Sequence, residues 1–357
     1  MIKLNKVDGK RYLKKILPKF MKTWGLIFFD VGNLIYGLLF FLLFKKSNQS
    51  SYLSFIRIFC VTQGYSNDIL AYIVKSFKKP YHVTKLSGML GELSGSDVQA
   101  IADQIRQKGY FKSECLLPQE ICQSILAFSL KTNVNQIVMD DQPTPAGGNI
   151  LFNKDKPEAT MYAFDLKDLF GCSQIQEIMA DLSILAVMQA YMKSKVYLDN
   201  VSLAWSTAYK EIADISAAQL FHFDMERIKW LKIFIYLTDV DADNGPHVFV
   251  EGSHRRGGIP KTFLKKGYTR LTDEEVIQAF GQEKLITFVG ARGTIIIEDT
   301  RGLHKGMHLA KGQRLMLQLQ YSNTLFGALL PKAKLEIISE KLAENFKLYP
   351  KTYSYFV

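Results

Sequence analysis

The chain has 357 residues, 48% hydrophobic and 22% charged, which excludes a disordered protein and supplies enough apolar material for one large domain with an appendage. Four cysteines, Cys60, Cys115, Cys122 and Cys172, form no C-x-x-C pair, which argues against a disulfide frame or a zinc site and for reduced thiols in a cytosolic protein. The formal net charge of +11 is all N-terminal: residues 1–90 hold 15 Lys and Arg against three acids, and the remaining 267 hold 30 against 31.

That asymmetry calls for an anionic partner for the first 90 residues. No helix-turn-helix, zinc or RNA-binding pattern accompanies it, so an anionic membrane surface is expected, through residues 1–46, and nucleic acid is not. A basic amphipathic segment is predicted over residues 10–24, with Leu13, Ile16, Leu17, Phe20, Met21 and Trp24 on its apolar side and a kink at Pro18.

Trp24 to Phe44 follows, rich in Leu, Ile and Phe but carrying Asp30 and Asn33. Its apolar side chains favour a bilayer by roughly 4–8 kcal/mol, against about 3 for a central Asp and more for Asn and the glycines. Basic residues outnumber those after the segment on its N-terminal side, so a span would place the rest of the chain outside. An interfacial or re-entrant anchor, or a helix buried against the main domain, is therefore expected. The anchor reading puts the protein in the cytoplasm, peripheral on the inner face of a membrane.

One helix is predicted from Tyr52 to Lys79, closed by Pro80, and a linker over Ser87 to Ser96. Further helices are predicted at Val98–Lys108, Pro118–Lys131 and Ser173–Met192, with a Pro/Gly-rich loop at 142–148. Strands are predicted at Lys195–Leu203, Gln219–Phe223, Lys229–Leu237, His247–Glu251, Leu285–Phe288, Thr294–Glu298 and Arg314–Tyr321. Short strands between Gly, Asp and Asn turns indicate a barrel or jelly roll. In the last strand Leu315, Leu317 and Leu319 face one way and Arg314, Met316, Gln318 and Gln320 the other, a polar inner face suited to a ligand.

The strand around Phe221 carries His222 and Asp224, two residues apart and therefore on one face. Among six histidines, His304 is distinguished by following the run Gly293–Asp299 and preceding Arg314 by ten residues. Two imidazoles and one carboxylate on one face of an octahedral ion leave three positions open, as non-haem Fe(II) oxygenases require. A 2-oxo acid can chelate two of those positions and O2 take the third. The far carboxylate of 2-oxoglutarate then calls for the planar fork of an arginine, for which Arg314 is placed.

Asp239 to Gly245 has the acids of a calcium loop but lacks the glycine and the distal bidentate Glu, so a turn is expected there. His82, His247, His254 and His308 are assigned structural or surface roles. The loop from Arg255 to Arg270 holds six positive charges and no acid; it is either a solvated loop or a lid for an anionic substrate.

Over roughly residues 95–325 the chain resembles the phytanoyl-CoA dioxygenase family of Fe(II)/2-oxoglutarate oxygenases. The resemblance rests on Gly109 Tyr110 Phe111, on Leu117 to Cys122, on His222 Phe223 Asp224, on Asn244 Gly245 Pro246, on Glu251 Gly252 Ser253 His254, on Leu303 His304 and on Arg314. It implies an α+β protein with a double-stranded β-helix (jelly roll, cupin-like) core, flanking helices and a helical basic N-terminal region. It implies Fe(II) ligands at His222, Asp224 and His304, 2-oxoglutarate on Arg314, and an aromatic co-substrate wall best matched by Phe234. The hydroxyl that family members often carry two residues after the distal His is replaced here by Gly306. Asp224 favours hydroxylation over halogenation, since the halogenating relatives lack that carboxylate.

The expected organisation is a basic, partly apolar region (1–90), an oxygenase domain (91–330) and a C-terminal helix and tail (331–357). The expected activity is hydroxylation of a small-molecule or lipid-like, acyl substrate, with conversion of 2-oxoglutarate and O2 to succinate and CO2. Trp205, Gln219, Gln318, Arg255 and Arg256 are candidate substrate contacts. Two alternatives stay open: a catalytically silent jelly-roll scaffold docked at a membrane, and a cupin-type metal enzyme with no organic co-substrate.

Overall fold

A computed structural model describes residues 24–137, 149–209, 218–268, 270–336 and 339–356. The basic segment 10–23, the Pro/Gly-rich loop 142–148 and Thr269 lie outside them. The described chain begins with three helices, α1 (Trp24–Phe44), α2 (Gln49–Thr62) and α3 (Tyr65–Phe77). The single helix predicted from Tyr52 is two, because Gln63 and Gly64 both take left-handed backbone angles (φ 51° and 86°) and turn the chain.

Asp30 and Asn33 lie where α1 meets α2. Asp30 accepts from Arg57 Nε at 2.9 Å and from Ser54 Oγ at 2.7 Å, and Asn33 donates to Ser50 and Ser54. The polar residues that weigh against membrane insertion are thus satisfied within the protein. Gly37 lets the helices close: a Cβ there would run into Ser51.

The glycine- and serine-rich stretch predicted as a linker is a hairpin of β1 (Ser87–Gly88) and β2 (Gly91–Glu92), docked through Met89 N–H on Asp181 (2.8 Å). Ser94 and Asp97 form a capping box that starts α4 (Gly95–Lys108), and Gly109 (φ 96°) ends it. α5 covers Gln119–Lys131. Asp181 interrupts the helix predicted over 173–192: its side chain caps Ile184 N–H and opens a second helix, Leu182–Met192.

The strands are β3 (Tyr110–Lys112), β4 (Asn133–Ile137), β5 (Ile150–Leu151), β6 (Met161–Ala163), β7 (Tyr197–Thr207), β8 (Trp230–Tyr236), β9 (His247–Val250), β10 (Leu285–Phe288), β11 (Ile295–Glu298), β12 (His304–Gly306) and β13 (Gln313–Ser322). Eight form one antiparallel sheet in the order β3-β11-β8-β13-β7-β6-β4-β5, and β10-β9-β12 form a second, smaller one. Phe234, Tyr236 and Ile296 of the large sheet pack against Phe249 and Phe288 of the small one, so the two sheets face each other. Leu315, Leu317 and Leu319 point the other way, into a core covered by helices that include α4 and Leu182–Met192. The period-2 reading of the last strand holds, and it directs Arg314, Met316 and Gln318 between the sheets. A third core joins α2 and α3 to the chain around His222; Phe59 lies 5.5 Å from Phe223, ring to ring.

Candidate metal centre

The segment predicted as a strand at Gln219–Phe223 is held by single bridges on its two edges. His222 exchanges backbone hydrogen bonds with His304 (3.0 and 2.8 Å), and Phe221 exchanges them with Leu271 (3.1 and 2.9 Å). Asp224 N–H donates to Thr300 O at 2.8 Å, and Thr300 Oγ1 accepts from the Trp230 indole at 2.8 Å. Backbone pairing thus fixes the three residues before their side chains make any contact.

Those side chains converge. His222, Asp224 and His304 are all buried, and each offers one donor atom within 4.8 Å of the others. His222 Nε2 lies 3.9 Å from Asp224 Oδ1, and His304 Nε2 lies 3.4 Å from Asp224 Oδ2. Each imidazole has its Nδ1 2.9 Å from a carbonyl two residues earlier, Leu220 O for His222 and Gly302 O for His304. A proton on Nδ1 satisfies those carbonyls and leaves both Nε2 lone pairs aimed at the centre. Burial and then the neighbouring His304 hold His222 well below the usual imidazole range, so it stays neutral.

The carboxylate is held by a residue outside the His-x-Asp motif. Lys232, buried on β8, donates to Asp224 Oδ2 at 2.7 Å and to Glu226 Oε1 at 3.1 Å. Burial opposes ionisation of Asp224, but Lys232 and His304 outweigh it and hold its carboxyl well below the usual range. His304 is raised by Asp224 against the effect of its own burial. A divalent cation would supply positive charge beside Asp224 through the Nε2 lone pair of His304.

His247, assigned a structural or surface role from the sequence, is also inside. Its ring packs against Phe234 at 4.4 Å, tilted by 31°, lies 5.6 Å from His304 and shares a 2.9 Å hydrogen bond with Glu298. Burial raises the Glu298 carboxyl to about 8, and its Oε1 has no partner among the described residues. One signal could have flagged Lys232 and Glu298: each is a charged residue at an inward position of an otherwise apolar strand, Trp230–Tyr236 and Ile295–Glu298.

Arg314 is buried at the start of β13. Its guanidinium donates to Gly245 O and, at 3.4 Å, to Ser206 Oγ, while its Nε has no partner and no carboxylate pairs with it among the described residues. A buried arginine facing no carboxylate is costly unless an anion joins it. Gly306 lies against it: a Cβ there would sit 3.4 Å from Arg314 Nη2, so the glycine replacing the family's hydroxyl borders the same space. Phe234 and Gln318 are register partners on β8 and β13, on the inward face shared with Arg314. Gln219 is buried three residues before His222.

Three candidates lie elsewhere. Trp205 faces the helix-covered side of the large sheet, stacked on Phe152 at 4.6 Å among Leu203 and Leu315; an inward pocket role does not fit that position. Arg255 donates to Gln107 O, and Arg256 lies over the Tyr65 ring of α3 at 5.1 Å. Both serve the seam with the helices rather than the space between the sheets. The acidic loop at Asp239 is a turn, closed by Asp243 N–H on Asp241 at 2.8 Å.

A buried site of two imidazoles whose Nε2 atoms turn toward one carboxylate, with an arginine on the same inner surface that has no carboxylate partner among the described residues, fits Fe(II) with 2-oxoglutarate. The family model described as phytanoyl-CoA dioxygenase matches residues 105–308, more than half of the chain. No curated protein matches. Among solved structures, the chain is similar to the epimerase SnoN of nogalamycin biosynthesis, in complex with Fe3+, alpha ketoglutarate and nogalamycin RO (16% identity, 64% of this chain and 84% of that one, TM-score 0.44). It is similar too to HygX from Streptomyces hygroscopicus with nickel, 2-oxoglutarate and hygromycin B bound (13%, 65% and 90%, TM-score 0.43). A third is EctD from S. alaskensis with 2-oxoglutarate and 5-hydroxyectoine (15%, 69% and 82%, TM-score 0.42). The chain belongs to the phytanoyl-CoA dioxygenase family and is a 2-oxoglutarate-dependent dioxygenase that uses Fe(II).

Proposed function

We propose that the protein hydroxylates a small-molecule or lipid-like, acyl substrate, with Fe(II) held by His222, Asp224 and His304 and 2-oxoglutarate anchored by Arg314. The observation that carries this is the pairing of three convergent donors with a buried guanidinium that has no carboxylate of its own among the described residues. When bound, Fe(II) and 2-oxoglutarate supply the oxidising power: O2 is reduced, 2-oxoglutarate becomes succinate and CO2, and one oxygen atom enters a substrate C–H bond.

The chain's own residues bind, orient and exclude water. Leu220 O and Gly302 O keep the imidazoles turned with Nε2 inward, and Lys232 keeps Asp224 ionised. Phe234 and His247 form an apolar wall along the inner face toward Arg314, and Met316 adds to it. The two facing sheets support the jelly-roll reading of the core, and residues 91–330 as the oxygenase domain. The test is release of labelled CO2 from carboxyl-labelled 2-oxoglutarate. The wild type should release it and Asp224→Ala should not; equal release from both would refute the ligand assignment.

The exposed side of α1 supports a peripheral place at a membrane for a cytoplasmic enzyme. Ile27–Phe44 is long and apolar enough to cross a bilayer, yet only 17% of it is buried, with Phe28, Leu39, Leu42 and Leu43 facing outward. Asp30 turns inward to Arg57, and residues 1–90 carry the whole positive excess, which suits an anionic surface in contact with one side of the helix. Flotation with anionic but not with zwitterionic vesicles is expected; flotation with neither would refute this.

A further inference from the structure

The loop from Arg255 to Arg270 sends its first two arginines to the helix seam, and its last one to the site. Phe221 and Leu271 form a closely bonded antiparallel pair, so the next register position places Arg270 opposite His222, with both side chains on one face. His222 is in turn paired with His304 on its other edge. His304, His222 and Arg270 therefore form a row across three adjacent stretches of chain.

Arg270 is only half-exposed, and its Nη1 is fully buried with no hydrogen-bond partner among the described residues. Among the described residues no carboxylate pairs with it. Its neighbours are aromatic: Tyr268 meets the Phe223 ring edge-on at 5.3 Å. Leaving a buried guanidinium N–H unpaired is unfavourable, and a planar fork of donors matches a carboxylate or phosphate. Arg314 supplies the fork for the co-substrate in the proposed site, so a second arginine with no carboxylate partner among the described residues calls for a second anion.

We infer that Arg270 anchors a carboxylate or phosphate group of the oxidised substrate, so that the substrate is an anionic molecule whose charged group lies close to the carbon attacked. This rests on the metal and 2-oxoglutarate sites proposed above. It assigns the specificity to Arg270, and not to Arg255 or Arg256.

The test is calorimetric titration of anaerobic protein loaded with Fe(II) and 2-oxoglutarate, using hexanoate and inorganic phosphate as probes. Wild type, Arg270→Gln and, as control, the exposed Lys265→Gln are compared. At least one anion should bind the wild type and Lys265→Gln alike, and Arg270→Gln should weaken it by about ten- to a hundredfold, the worth of a charged hydrogen bond. Hexanoate alone would identify a carboxylate substrate, phosphate alone a phosphorylated one, and both together a fork that accepts either. Binding of neither, or equal binding to wild type and Arg270→Gln, overturns the inference. So does a loss of 2-oxoglutarate affinity in Arg270→Gln as large as the loss for the probe, which would give Arg270 to the co-substrate. Failure of the wild type to bind 2-oxoglutarate at all would overturn the underlying site as well, and is read in the loading step.

Discussion

His222 and His304 are hydrogen-bonded to each other through their backbones, at 3.0 and 2.8 Å, and their rings lie 4.3 Å apart. The pairing needs neither imidazole, so removing one should leave the fold in place. His304→Ala is expected to unfold within a few degrees of the wild type and to lose Fe(II) affinity by more than about a hundredfold, since even the partners that support ligands are worth ten- to a hundredfold. Anaerobic metal titration beside a thermal melt checks both; unchanged affinity would remove His304 from the site.

Lys232 competes with any cation for Asp224. Replacing it by Met leaves buried Asp224 and half-buried Glu226 without the Lys232 counter-charge, which should cost the metal-free protein roughly 3–5 kcal/mol. Fe(II) would restore part of that loss, so the metal-induced rise in Tm should be larger in Lys232→Met than in wild type. A smaller rise would mean that Lys232 orients the ligand more than it competes for it.

The seam between α1 and α2 is tested by two glycines on one helix. Gly37→Ala places a methyl against Ser51 and should cost about 1–3 kcal/mol. Gly32 has open space beside it, so Gly32→Ala should gain up to about 1 kcal/mol of helix propensity. Chemical denaturation distinguishes them; both variants should keep Fe(II) affinity.

His254 gives a pH dependence away from the metal. Burial lowers it from the ordinary imidazole value to about 4; Asp299 raises it, while Arg301 and Arg255 lower it. The unfolded chain therefore binds more protons than the folded one between about pH 4 and 6.5, and stability falls as pH falls through that window. The full shift is worth about 3 kcal/mol. His254→Gln should flatten the curve of unfolding free energy between pH 6.5 and 4; an unchanged slope would show that other groups carry it.

The convergence of His222, Asp224 and His304 on the proposed metal site, and the inward place of Arg314, were legible in the chain because spacing encodes them: His222 and Asp224 share a strand face, and His304 and Arg314 follow strand signals. Lys232, His247 and Glu298 were not, because each is one polar residue inside an apolar run and its partner is distant in sequence. Glu298 meets His247 across 51 positions, and no local rule shows that. Asp30 counted against membrane insertion for the same reason, since Arg57 neutralises it from the next helix. The helix breaks at Gly64 and Asp181 come from a positive φ and a cap, which override the helical periodicity. Trp205 lies beyond the strand predicted at Lys195–Leu203; β7 runs on to Thr207, and its alternation puts Trp205 with Leu203 on the helix-covered face.

The most direct measurement is an anaerobic titration of the protein with Fe(II) and 2-oxoglutarate, following the visible charge-transfer band of the chelate in wild type, His304→Ala and Arg314→Ala. The account predicts a band in the wild type, none in His304→Ala, and one that needs far more 2-oxoglutarate in Arg314→Ala. No band in the wild type, or the same titration curve in all three proteins, would contradict it.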